Sequence, residues 1–160
     1  MKGAIIEKGE PYFTNMKNIF DSLGNIQRNY NWLITDYECY PQNEEYKILF
    51  SEPYIFIDGI KLSEIVFHEN FQWIWGVLSG FKKSISINDI LKYPLPVADG
   101  NENIWKNPIN IQNPLADIEI IAWDSRATVL FSRNDWVVEK FKNSYSMAVD
   151  MYRYNDMIKF

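Results

Sequence analysis

The stretch IEIIAWDSRATVLF, Ile118 to Phe131, constrains this chain more than any other feature. Ile118, Ile120 and Ala122 alternate with Glu119, Ile121 and Trp123, and strand-type residues resume from Thr128. β-branched and aromatic residues suit a pleated, packed surface. Between the two runs stand Asp124, Ser125 and Arg126, and Asp and Ser side chains favour turns because they bond nearby backbone amides. The segment therefore predicts two antiparallel strands joined by a tight connection, and the plainer reading of the polar knot is a turn rather than a reactive site. A hairpin so apolar needs a larger sheet around it.

Further strands are predicted in KGAIIE at the start of the chain, in NYNWLITDYECY, where Tyr30, Trp32 and Ile34 follow period two, and in YKILF and YIFIDG. Asp58-Gly59 reads as a turn pair. NFQWIWGVLSGF fits either a strand or a buried helix, and its Trp, Ile, Val and Phe content favours the strand. A helix is predicted near residues 11–24, where Phe13, Met16, Ile19, Phe20 and Leu23 recur at helical spacing before Gly24. Asn88 and Asp89 open a short helix that must end near Tyr93, because Pro94 follows. Two C-terminal helices complete the pattern. DWVVEKFKNSY is capped by Ser132 or Asn134, and SMAVDMYRYNDMIKF is capped by Ser146 with Met147, Met151 and Tyr154 along one stripe. Clusters of strands followed by helices imply an α+β fold: an antiparallel or mixed sheet of five to seven strands, one N-terminal helix and two C-terminal helices. At 160 residues, without repeats or Gly/Ser linkers, the chain reads as a single globular domain, 1–160.

Charge is unevenly placed. The formal net charge is −5, and the excess lies in residues 36–69, where Asp36, Glu38, Glu44, Glu45, Glu52, Asp58, Glu64 and Glu69 face only Lys47 and Lys61. A nucleic-acid partner is not expected, because phosphate contacts need a basic face. The N-terminus is too short in apolar residues for a secretory signal, and no apolar run approaches the roughly 20 residues of a membrane helix. A cytoplasmic protein without a membrane partner is expected, and the single Cys39 agrees with a reducing compartment.

Motifs for catalysis are sparse. One His68 and one Cys39 cannot build a standard Cys/His zinc site. Glu38 beside Cys39 would raise the thiol pKa rather than activate it. GVLSG lacks the spacing of a nucleophile elbow, and no Gly-rich dinucleotide or phosphate loop occurs, so no cofactor is expected. Asp99, Asn101 and Asn103 imitate the start of a calcium loop, but Ile104 occupies the position that needs Gly and Asn110 the one that needs Glu. No metal site is expected. Carboxylate pairs, Asp117 with Glu119 and Asp36 with Glu38, are the remaining catalytic option, and an exposed strand face accounts for them equally well. The loop from Pro94 to Pro114 carries four Pro residues and no helical period, and loops that long are usually functional or packed by their own side chains.

The succession FQWIWGVLSGF, ILKYPLP, IEIIAWDSRATVLFS and VVEKFKNSYSMAVDMYRYN, over about residues 70 to 155, resembles a family of small bacterial proteins known as a domain of unknown function. That family's turn reads Asp-Ser-Ser, where this chain departs with Arg126. The resemblance implies no catalytic residues. In general character, small, acidic and rich in aromatics, the chain is similar to immunity proteins that neutralise bacterial toxins. The aromatic share of 16% exceeds what a core needs, and surplus rings suit a contact surface. The expectation is a non-enzymatic module that binds a basic protein partner. Asp36, Glu38, Glu44, Glu45 and Glu52 would supply the field, with Tyr37, Tyr40, Tyr46 and Trp105 as anchors. The alternatives are a small hydrolase using paired carboxylates and a homo-oligomer joined through the aromatic surplus.

Overall fold

The computed structural model describes residues 1–10 and 14–158. The fold is α+β: a seven-strand antiparallel sheet with six helices packed against it. The strands are β1 (Lys2–Ile6), β2 (Tyr30–Cys39), β3 (Ile55–Asp58), β4 (Trp73–Lys82), β5 (Ile118–Trp123), β6 (Ala127–Ser132) and β7 (Val149–Asp150). The helices are α1 (Met16–Ser22), α2 (Glu44–Leu49), α3 (Gly59–His68), α4 (Ile87–Ile90), α5 (Asp135–Ser144) and α6 (Met151–Met157). Spatial order is β3-β2-β4-β5-β6-β1-β7. β3 and β4 flank β2, with α3 crossing between them. β6 and β7 flank β1, with α5 crossing in the same manner.

Both faces of the sheet are covered. On one face Trp32, Ile34, Leu78, Ile118, Ile120 and Leu130 pack against α1, α3 and α5. On the other, Leu33, Val77, Phe81, Ile121, Val129 and Phe131 pack against Ile90 of α4, Met151 of α6 and loop residues such as Ile104, Ile109 and Ile111. Two-sided burial explains why β5 and β6 read as continuous apolar runs rather than clean alternations. The loop from Pro94 to Pro114 is therefore a layer of the core, and its side chains shield half of the sheet from water.

Local chemistry decides several elements differently from the sequence reading. YKILF is helical in α2, not a strand: Asn43 caps the turn by accepting from Glu45 N and Tyr46 N at 2.9 and 3.3 Å, and Glu44 and Glu45 occupy the positive end. Asp58-Gly59 is not a hairpin turn. Asp58 caps α3 by accepting from Ile60 N at 2.8 Å, and Gly59 sits where an added Cβ would lie 1.9 Å from the Gln27 carbonyl oxygen. Glycine is present there for close backbone approach. α1 starts only at Met16, after the Asn15 cap, and the Pro11 to Phe13 part of the expected helix lies outside the described residues. Ser86 rather than Asn88 caps α4, accepting from Asp89 N at 3.2 Å. The last helix begins at Met151 under an Asp150 cap, not at Ser146, because Val149 and Asp150 first pair with Ile5 and Ala4 of β1. Met147 consequently leaves the predicted stripe and is exposed, while Met151 is buried.

Candidate binding surface

The predicted acidic segment begins where β2 loses its regular register. Between Thr35 and Glu38 the β2–β4 ladder shifts, and Asp36 adopts φ of 47°. Asp tolerates that left-handed region better than most residues. Its carboxylate accepts from Ala98 N and Asp99 N at 2.7 and 2.9 Å. Asp36 thus fastens the long loop to the sheet, so this acid is a structural clip as well as a charge.

Tyr37 is a strut. Its ring meets Phe50 edge-on at 5.5 Å, and its hydroxyl donates to the Glu52 carbonyl oxygen. Burial pushes the hydroxyl up to about 12, so it remains a donor. Tyr46 is half-buried, with its hydroxyl 2.9 Å from His68 Nδ1 and the two rings perpendicular. Tyr40 differs: it is 66% exposed, and its hydroxyl donates to Glu38 Oε1 at 2.8 Å. Glu69 orients the approach to α2 by accepting from Gln42 N and Asn43 N at 2.7 and 2.9 Å.

α2 then carries Glu44 and Glu45 outward and buries none of its residues. Lys47 pairs with Glu44 at 2.8 Å, whereas Glu38, Glu45 and Glu52 form no ion pair among the described residues. Ile48, which the strand reading of YKILF concealed, is 69% exposed on this helix. Once the Asn43 cap is recognised, a helix with an apolar residue and no buried face becomes visible in the sequence. Tyr40, Gln42, Lys47 and Phe50 help to line a concavity of about 310 Å³ between β2 and α2. Cys39 also lines it, with its thiol pushed up to about 12 by burial and by Glu38, which leaves it a poor nucleophile.

Tyr40 and Lys47 line one concavity and hold Glu38 and Glu44 respectively, Glu45 lies on the same helix and Glu52 just beyond it, while Tyr37 and Tyr46 are partly buried beneath. Trp105 is elsewhere. It packs perpendicular to Trp123 at 4.8 Å and tilted against Tyr154 at 6.0 Å, and Trp123 in turn meets Trp75 edge-on at 4.9 Å. Trp75 stands opposite Glu38 in the β2–β4 register, so the aromatic row approaches Glu38 from across the sheet. A cleft of about 480 Å³ opens beside the row, lined by Glu7, Trp105, Trp123, Arg126 and Tyr154 among others. Glu7 Oε2 accepts from the Tyr154 hydroxyl at 2.8 Å. Burial and that carboxylate push the hydroxyl up to about 12. Trp75, Trp123, Tyr154 and Glu7 were not singled out by sequence reasoning. The only signal was the pair of Trp residues, Trp75 and Trp123, near strand ends, and nothing local marked Glu7 or Tyr154 as part of a site.

The polar knot is a turn. Asp124 and Ser125 both have positive φ, 48° and 54°, and Arg126 N donates to the Trp123 carbonyl at 2.9 Å. Ser125 N donates to the Ile74 carbonyl at 3.0 Å, which ties the turn to β4. Of the residues that imitate a calcium loop, Asn101 serves backbone geometry, capping a 3-10 turn by accepting from Asn103 N at 3.1 Å.

Glu119 corrects the expectation of an exposed face for the Asp117 and Glu119 pair. It is fully buried beneath the long loop, accepting from Gln112 N at 3.1 Å and Gln112 Nε2 at 3.4 Å. Ser79 faces it across the β4–β5 ladder without forming a hydrogen bond of good geometry. Burial pushes the carboxyl up to about 7, against the partial pull of Gln112 and Ser79. Glu119 lines none of the clefts beside Tyr40, Trp105 or the long loop.

Among the described residues, no group of three or more His, Cys, Asp or Glu side chains is placed to hold a metal ion, and no helix is long and apolar enough to cross a membrane. Compared with known proteins, the chain matches no family model, no curated protein and no solved structure. No residue role is therefore carried into the site from a relative.

Proposed function

We propose that the chain is a non-enzymatic binding module of the immunity type, which docks a basic protein, a toxin or an enzyme, on the ridge formed by β2 and α2. The observation that carries this reading is the pairing of exposed apolar groups, Tyr40 and Ile48, with carboxylates that form no ion pair among the described residues, Glu38, Glu45 and Glu52. Each component does a different job. Exposed carboxylates steer a basic partner and raise its association rate, while each contributes less than about 1 kcal/mol to the final complex. Apolar anchors seated in a partner's pocket supply most of the affinity, about 2 kcal/mol or more each. The Glu38 hydrogen bond pre-orients the Tyr40 ring, and the Tyr37 and Phe50 contact stiffens the base beneath it.

The test begins with capture of a partner from extracts of the native cell, followed by measured association of the two purified proteins. Association should slow steeply as salt rises. Joint replacement Tyr40→Ala and Ile48→Ala should weaken the complex several hundredfold, whereas Glu45→Gln should chiefly slow association. A salt-independent association rate, or a double variant that binds as well as the parent, would refute the reading.

A further inference from the structure

We infer that the corner formed by Trp105, Trp123, Tyr154 and Glu7 is a binding site for a trimethylammonium group, separate from the ridge on α2. Four observations combine. First, the indole planes of Trp105 and Trp123 meet at 90° with centroids 4.8 Å apart, and Tyr154 is inclined to Trp105 at 48°. Three rings thus present differently oriented walls around one cleft. Aromatic faces carry negative potential and attract cations positioned over them. Second, the cleft of about 480 Å³ falls within the size range of small-molecule sites.

Third, the carboxylate is held in place. Glu7 follows directly on β1 and accepts from the Tyr154 hydroxyl of α6, so its charge does not wander into solvent. Fourth, the opposing charge at the rim is offset: Arg126 is 80% exposed at its side chain and pairs with Asp124 at 3.1 Å. Its field across the cleft is weakened both by that partner and by water.

The same chemistry selects among cations. A bare ammonium is strongly hydrated and must replace its water with hydrogen-bond acceptors. Indole N–H groups only donate, so among the three rings the Tyr154 oxygen, which donates to Glu7, is the one acceptor, and a bare ammonium would exchange most of its hydration for ring faces. A trimethylammonium group has no N–H to satisfy. Its methyl groups bury against the rings while Glu7 balances the charge.

The group could belong to a free quaternary ammonium compound or to a trimethylated lysine side chain. The probes for the full chain are tetramethylammonium, choline, an N-acetyl trimethyllysine amide and 3,3-dimethylbutan-1-ol, the neutral isostere of choline. Binding is followed by calorimetry and by indole resonances in NMR spectra. Saturable binding of tetramethylammonium is expected, with the neutral isostere weaker than choline by about tenfold. Glu7→Gln keeps an acceptor for Tyr154 yet removes the charge, and should weaken choline several-fold while leaving the isostere unaffected. Trp105→Ala should abolish binding, with thermal unfolding used to show that the variant remains folded. A preference for choline assigns a free metabolite as the source, and a preference for the lysine amide assigns a modified protein. Equal binding of choline and its isostere would overturn the proposal, as would indole resonances unmoved by every cation. None of these outcomes depends on whether the α2 ridge binds a basic protein.

Discussion

Glu119 gives this fold an unusual dependence on pH, and the sign can be worked out. An ordinary glutamate loses its proton near 4.5, whereas burial holds Glu119 to about 7 in the folded chain. Folding therefore binds a proton in the interval between those values. The stability associated with the neutral carboxyl is fully present below about pH 4.5, is lost progressively up to about 7, and is absent above it. The separation corresponds to about 3 kcal/mol, a substantial part of the 5 to 15 kcal/mol that typically holds a domain together. Glu119→Gln removes the charge. Its amide keeps one acceptor for Gln112 but sets a donor against the other Gln112 N–H, because the Gln112 side chain is itself fixed, accepting from Val97 N at 2.8 Å and donating to Val97 O at 3.1 Å. The variant should therefore gain less than the full 3 kcal/mol at pH 8 and should be no more stable than the parent at pH 5. Urea unfolding of both proteins at the two pH values measures the difference directly, and subtracting the variant cancels every other titrating group. If parent and variant respond identically to pH, the carboxyl does not titrate inside the fold, and the argument from burial is wrong.

Gly59→Ala should destabilise the domain by about 3 kcal/mol in urea unfolding. The new methyl group would fall 1.9 Å from the Gln27 carbonyl oxygen and 2.6 Å from that of Tyr30, both backbone, and overpacking against backbone outweighs the gain of about 1 kcal/mol in helix propensity. Asp36→Ala should cost about 2 kcal/mol, from two lost hydrogen bonds, one to a partly buried amide and one to an exposed amide, and from a left-handed backbone that alanine disfavours. Hydrogen exchange at Ala98 and Asp99 should accelerate in that variant, and unchanged protection would show that Asp36 does not fasten the loop.

The sheet was legible in the sequence wherever a run of β-branched and aromatic residues was long enough to leave no helical alternative. β2 and the β5–β6 hairpin are such cases, β4 was told from a buried helix only by its Trp, Ile, Val and Phe content, and the Asp-Ser turn between β5 and β6 was readable from side-chain chemistry alone. The failures share a cause: a capping residue was read as a turn former, or its cap was overlooked. Asp58-Gly59 matches both a hairpin and a helix start, and only the helical spacing of Leu62, Ile65 and Val66 separates the two. Asn43 before Glu44 and Glu45 marked α2 in the same way. β7 carried no local signal, since two residues pair with β1 only because α5 delivers the chain to that edge.

Burial on both faces of the sheet also explains why the candidate sites were only half visible. Acidic residues clustered in one segment announce a field from composition alone, so the carboxylates proposed for the β2–α2 surface could be named from the sequence, although α2 itself and Ile48 were not. An aromatic residue carries no such label, because the same Trp can fill a core or line a cleft. Trp32 and Trp73 are fully buried among the helices, whereas Trp75, only two residues beyond Trp73, falls on the opposite face and joins Trp123 and Trp105. A regular strand keeps residues two apart on one face, and the irregular β2–β4 register here, with Glu38 opposite Trp75 but Cys39 opposite Trp73, is what separates these two indoles. The cover of the second face is shared between the long loop and the helices α4 and α6. Ile104 and Ile109 belong to the cluster on this face, and beside it Glu7, Trp105, Trp123 and Tyr154 line a cleft. The aromatic corner thus draws one residue each from the end of β1, the long loop, the hairpin and α6, and residues so far apart in the chain form no local motif.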